Sequence, residues 1–320
     1  MKEKILITGA GGYIGSNAVL YFMKEGFDVT GCVRNNIAEA FLNSGAAMRK
    51  ADLEDFSSLD ALFDCSYDYV IHIAARARDT GRDELFKRPN FEAVKHLAHL
   101  AMKNGVKRFV YLSTADVYGL HDFHGEREEA LSFDYKVKNP YPRYKIMSEE
   151  FLLKELPPKR FSCVRPCVVY GNGDTTITPR AVAFLKSSPF VIHFGKWHGS
   201  NRWPLAHVEN VCRALHAAMV LPEAGGKGVT VLDSAFTTLS AYYRELAACY
   251  LPEKKIREIT LPRSLILIPA WISSAFSGDK PLFDPTLYAL DTITSNLDFS
   301  NSRMLEWFKA IGKDEYKGSL

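Results

Sequence analysis

The stretch KILITGAGGYIG, Lys4 to Gly15, runs from a continuous apolar segment through a glycine-rich turn into a helix-like segment. A short apolar run bounded by glycine reads as a strand buried on both faces. Gly9, Gly12 and Gly15 stand between that strand and a helix expected over 13–25. Glycines at such a junction permit a tight turn, close backbone approach to a pyrophosphate and close helix–strand packing. The helix start adds free N–H groups and a partial positive charge. The turn therefore predicts a dinucleotide site, with Gly9, Gly12, Tyr13, Ile14 and Gly15 at its centre.

Working outward, strand-like and helix-like segments alternate. FDVTGCV reads as a second strand, Asn36 to Ser44 as a second helix and AAMRKADL as a third strand. Tyr67 to Ala75 and Lys107 to Thr114 read as further strands, separated by a long helix over Glu84 to Lys103. A helix after Asn139 and a strand over Phe161 to Tyr170 follow. Such alternation implies right-handed crossovers and an α/β, doubly wound parallel sheet covered on both faces. After Gly171 the pattern loosens and Pro/Gly punctuation grows heavier, as in LPEAGGKG and SGDKPLFDP. The expected organisation is a dinucleotide-binding domain over 1–170, rejoined by about 205–235. A smaller mixed α/β substrate-binding part would take 171–204 and 236–320.

The end of the second strand bears on the choice of dinucleotide. An acidic residue there holds the ribose 2′-hydroxyl of NAD. This chain has Val33 and then Arg34, a cation able to pair with a 2′-phosphate. NADP is thus favoured over NAD, the competing reading of Arg34 being a solvated surface side chain.

NPYPRYKIMSEE, Asn139 to Glu150, places two tyrosines just ahead of a lysine. Four residues along a helix return to nearly the same face, so Tyr141 and Lys145 share one while Tyr144 points away. Pro142 suits the first helical turn. Bringing a phenol of pKa about 10 to neutrality requires about 4 kcal/mol. A cation about 4 Å away at an effective dielectric near 20 supplies roughly that. Tyr141 is the expected acid–base group, with Lys145 lowering its pKa.

Forty basic and thirty-seven acidic residues leave a formal charge of +3, too balanced to argue for nucleic acid or an anionic membrane surface. The six cysteines are scattered without a C-x-x-C pair, and the N-terminus enters a strand at once, so a reducing cytoplasm is expected. Leu261 to Phe276 is the most apolar window but is too short to span a bilayer; it reads as a core or interfacial helix. His121 and His124 read as part of a loop over a pocket rather than a metal site, and no metal is expected. The cluster Arg76 to Pro89 follows a strand, at the ligand-binding edge of the sheet or as a solvated loop. Trp197, Trp203, Phe276 and Phe283 are expected to be mostly core, with one or two in the wall of the substrate pocket.

Together these features resemble the extended short-chain dehydrogenase/reductase family, of the NAD-dependent epimerase/dehydratase type. The matching residues are TGAGGYIG, ADL (51–53), VIHIAA (70–75), LSTADVYG (112–119), YPRYK, RPCVVYG (165–171) and HVENV (207–211). The resemblance implies a Rossmann domain in which Asp52 and Leu53 flank the adenine. Ala74 and Ala75 would lie under the dinucleotide and Pro166 would line the nicotinamide pocket. It implies that Thr114 binds the reacting oxygen, Tyr141 passes the proton, and Lys145 holds the nicotinamide ribose. Asn90 would either order this region or start a helix. Val168 stands where many nucleotide-sugar epimerases and dehydratases have an asparagine. The C-terminal third looks more like the 3β-hydroxysteroid dehydrogenase-like branch. Arg202 would meet a substrate phosphate or form a salt bridge.

The expected activity is NADP-dependent interconversion of a secondary alcohol and a ketone, with a small carbonyl or alcohol compound as substrate. Alternatives are a nucleotide-sugar epimerase or dehydratase with retained NAD, and a non-catalytic NADP(H) sensor. The resemblance also implies a homodimer built on the helices of 84–103 and 141–155.

Overall fold

The computed structural model describes residues 2–35, 45–278 and 281–318. Seven strands among them form one parallel sheet: β1 Lys4–Thr8, β2 Asp28–Val33, β3 Ala47–Lys50, β4 Tyr69–His72, β5 Arg108–Leu112, β6 Phe161–Pro166 and β7 Gly228–Val231. Their order is β7-β6-β5-β4-β1-β2-β3. The direction of winding reverses between β1 and β4, and ligands in such sheets sit above that point at the carboxyl ends of the strands. The expected second helix, Asn36 to Ser44, lies outside the described residues.

Alternate residues of β1 serve opposite layers, as the two-residue strand period requires. Ile5 and Ile7 pack with Val19 and Phe22 of α1 (Tyr13–Lys24) and with Leu215 and Met219 of a later helix, Val208–Val220. Leu6 faces the other way, against Leu97 and Ala101 of α2 (Ala93–Lys103) and Leu152 of α3 (Pro140–Glu155). We number the helix Val208–Val220 α4.

Several elements differ from the sequence expectation. The long helix over 84–103 is interrupted by a π turn, Arg88–Glu92, because Pro89 cannot donate to the ladder. The expected strand Phe161 to Tyr170 is two strands: β6 ends at Pro166, and Val168–Tyr170 leaves the sheet to pair with Leu205–His207. The last helix, Ser302–Ala310, sends Met304, Trp307 and Phe308 into the core beside α1 and α4, so it packs with the main sheet rather than with the second core of the C-terminal part. His124 lies in a short strand paired to Leu297–Phe299 rather than in a loop.

The C-terminal part has its own core around Tyr170, Leu185, Trp203, Leu205, Tyr242 and Leu246. Of the four aromatics expected to be mostly buried, only Trp203 is; Trp197 is half-buried, and Phe276 and Phe283 are exposed. The apolar helix α5, Arg263–Phe276, is likewise not a core helix. Leu265, Ile268, Trp271 and Phe276 lie on its surface, since only Ala270 and Ser273 are covered. No helix among the described residues is long and apolar enough to cross a membrane.

Candidate active site

The loops leaving β1, β2, β4, β5 and β6 converge above the sheet, and each carries residues singled out in the sequence. At β1, Gly9 has φ +73°, and a Cβ there would lie 2.8 Å from the backbone nitrogen of Ala74. A Cβ on Gly15 would lie 2.0 Å from the Gly9 carbonyl oxygen. The β1 and β4 loops thus touch through backbone. Gly12 is the N-cap of α1 and offers no side chain to its free N–H groups, and no acidic residue occupies the first turn. An uncapped helix start beside bare backbone fits a dinucleotide's phosphates. Thr8 braces the cradle from below: its hydroxyl accepts from the N–H groups of Ile73 and Ala74 and shares a hydrogen bond with Nδ1 of buried His72, 2.7 Å away. Burial first, then the Lys145 charge, push the His72 imidazole down to about 3, so it stays neutral.

At the end of β2, Val33 is buried and a Cβ on Gly11 would meet its side chain at 3.4 Å; Arg34 is exposed beyond it. Asp52 and Leu53 follow β3, where the Asp52 carboxylate accepts from the Glu54 N–H at 2.9 Å. Ala74 and Ala75 follow β4 and are half-buried. Asn90, inside the π turn and so not at a helix start, pairs both ends of its amide with the backbone of Arg76, at 2.7 and 2.9 Å. It holds the β4 loop against the helix. Pro166 closes β6.

Asn139 caps α3 by accepting from the Tyr141 N–H, and its amide donates to the Asp79 carbonyl, tying the helix start to the β4 loop. One turn on, the Lys145 Nζ lies 5.6 Å from the centre of the Tyr141 ring and 4.6 Å from that of Tyr111. It donates to the Leu112 carbonyl at 2.6 Å, at the end of β5. Tyr144 points elsewhere, donating to Asp83 at 2.8 Å. Tyr141 thus shares a face of α3 with Lys145, and Tyr144 does not. Thr114, two residues beyond β5, is buried and donates to Asp116 Oδ2 at 2.9 Å.

The charges differ from the sequence expectation. Burial, and then the Asp116 carboxylate, push the Tyr141 phenol above its ordinary value instead of toward neutrality. Burial also pushes Lys145 down to about 7, with Glu149 and Cys163 opposing it. A lysine this deep is a weak cation near neutral pH, and burial likewise pushes the Asp116 carboxyl up.

Two residues near this centre escape the sequence reading. Asp116 sits inside LSTADVYG, two residues after Thr114, and that spacing is the one signal for it. Tyr288, on helix α6 (Leu287–Thr294), donates to the same Asp116 oxygen as Thr114 does. Nothing in its sequence neighbourhood marks it. Arg202 is buried, 3.8 Å from Asp298 and stacked on Phe236, in the pattern of a salt bridge within the C-terminal part.

The chain matches the NAD-dependent epimerase/dehydratase family over residues 5–232. Over 312 residues it is 26% identical to the uncharacterized protein YbjS of Escherichia coli, covering 93% of this chain and 89% of that one. It is 25% identical over 301 residues to a 3β-hydroxysteroid dehydrogenase/isomerase of Mycobacterium tuberculosis, covering 88% and 79%. A short-chain dehydrogenase/reductase superfamily protein from Agrobacterium tumefaciens, solved with NAD bound, shares the fold with a TM-score of 0.71 at 18% identity, over 98% and 93% of the two chains. With the glycine cradle, the strand order and the family match in agreement, this chain belongs to the NAD-dependent epimerase/dehydratase family of extended short-chain dehydrogenases/reductases.

Proposed function

We propose that the protein is an NADP-preferring oxidoreductase that interconverts a secondary alcohol and a ketone. The observation carrying this reading is Tyr141 and Lys145 on one face of α3, beside Thr114, next to a side-chain-free cradle at the carboxyl edge of the sheet. Gly9, Gly12 and Gly15 would hold the pyrophosphate, and Val33 with Arg34 supports a 2′-phosphate over a bare ribose. The cofactor, when bound, supplies or accepts a hydride. Tyr141 holds the proton exchanged with the substrate oxygen, Thr114 orients that oxygen, and Lys145 positions the ribose and supports the phenol.

A phenol with a raised pKa is well suited to hold its proton until a developing alkoxide takes it. Replacing it should remove the about 10²–10⁴-fold that a positioned general acid contributes. Tyr141→Phe is therefore expected to abolish turnover while leaving NADPH binding nearly intact. Near-normal rates from that variant on a substrate the wild type reduces would remove Tyr141 from the mechanism. Titration of NADPH against NADH tests the cofactor preference, and equal affinities would overturn it.

A second reading is a nucleotide-sugar epimerase or dehydratase. A UDP-glucose 4-epimerase of Cyamopsis tetragonoloba, 31% identical over 165 residues (46% of this chain), favours it. That reading predicts NAD retained through purification and no net consumption of NADPH. We further propose a homodimer. Phe91 just before α2 and His99 of α2, with Met147 and Phe151 of α3, line a groove of about 650 Å³ on the outer side of these helices, where a second copy would pack the same helices.

A further inference from the structure

We infer that Asp116 and Tyr288 form a second substrate-binding station beside Thr114, selecting carbonyl compounds that carry a hydroxyl group on a carbon near the carbonyl. The inference rests on the oxidoreductase reading above and names the substrate class of that same site.

Asp116 lies on the short turn Ala115–Tyr118 that follows β5. Two hydroxyls donate to its carboxylate, from Thr114 at 2.9 Å and from Tyr288, and both land on Oδ2. Among the described residues no hydrogen bond reaches Oδ1. Asp116, Tyr141 and Tyr288 each keep some accessible surface, so the group is not sealed core. Tyr288 comes from the C-terminal part, so the station closes only when that part packs over β5. Burial first, then the Asp116 charge, push both the Tyr141 and the Tyr288 phenols up.

The chemistry follows from counting protons. A threonine hydroxyl has one, and Thr114 gives it to Asp116. To donate to a substrate carbonyl, Thr114 must turn away and leave a deeply set carboxylate one donor short. A hydroxyl on the substrate restores that donor, at the vacated Oδ2 or at Oδ1. A plain ketone restores nothing. Thr114 Oγ1 and Asp116 Oδ2 are 2.9 Å apart, so a compact ligand with a carbonyl oxygen and a hydroxyl on neighbouring carbons can reach both at once. Sites built to bond a substrate hydroxyl discriminate against the analogue lacking it far more strongly than apolar pockets discriminate by size, by up to about 10⁴–10⁵-fold.

The test is kcat/KM, read from NADPH oxidation by the full chain, on matched pairs. These are acetoin and 2-butanone, 2-hydroxyacetophenone and acetophenone, and 2-hydroxycyclohexanone and cyclohexanone. The wild type is expected to prefer the hydroxylated member of each pair it reduces by about 100-fold or more. Asp116→Leu should bring the ratio to within about threefold, and Asp116→Asn, which keeps the shape and one acceptor oxygen, should fall between. A ratio near one in the wild type, or an unchanged ratio in either folded variant, overturns the station while leaving the oxidoreductase reading standing. No NADPH oxidation with any of the six compounds overturns both.

Discussion

Lys145 reaches from the first turns of α3 to the Leu112 carbonyl at the end of β5, 2.6 Å away, and in doing so is drawn out of water. Its ammonium therefore titrates at about 7 rather than the ordinary 10.5. With the folded value the lower, the unfolded chain holds more protons between those two points. Stability from this group is complete above about pH 10.5 and is lost as pH falls toward 7. Urea unfolding of the apo protein should show stability rising by on the order of a few kcal/mol across that window, and Lys145→Met should flatten the rise. A rise of the same size in Lys145→Met would assign it to another group.

Gly9 combines a left-handed backbone with contact to the Ala74 backbone. Gly9→Ala adds strain of about 1–3 kcal/mol and pushes the β1 and β4 loops apart. Lower unfolding stability together with at least tenfold weaker NADPH binding is expected, read by urea titration and by fluorescence. Unchanged nucleotide affinity would show that the cradle tolerates a side chain.

Beneath the site, Glu149 of α3 and Arg165 of β6 form a buried pair, with contacts at 3.0 and 3.2 Å, and Arg165 also donates to the Tyr118 hydroxyl. Both side chains are almost fully covered. Glu149→Leu should cost about 3–5 kcal/mol by leaving a buried guanidinium uncompensated. The double variant Glu149→Leu/Arg165→Met should recover most of the loss. Equal stability of the single variant and wild type would mean that water replaces the carboxylate.

Phe151 faces the groove on the outer side of α3. If that face pairs two copies, Phe151→Arg should convert a dimer to a monomer in light scattering with little change in melting temperature. A wild-type monomer would dispose of the dimer directly.

The dinucleotide half was legible in the chain because its signals are local. A glycine turn between a strand and a helix, an alternation of short apolar runs with helical segments, and a tyrosine four residues ahead of a lysine each specify geometry within a few residues. Where local signals compete, the reading slipped. Phe161 to Tyr170 is strand-forming on both sides of Pro166, yet the chain changes sheets after that proline to pair with Leu205–His207, a partner 37 residues away in sequence at Leu205↔Val168. Leu261 to Phe276 is apolar enough for a core, but the helix packs through its small residues and leaves its large ones outside.

Sequence alone set which side chains share a face of α3, since helical periodicity places Tyr141 and Lys145 together wherever the helix lies. Only the tertiary structure decided their charge states and their company. Ionisation depends on how much water and how many neighbouring charges remain around a group, and packing sets both: burial opposed by Glu149 and Cys163 for Lys145, and burial followed by Asp116 for Tyr141. Proximity between residues 116 and 288 is a product of packing, which no short-range pattern encodes.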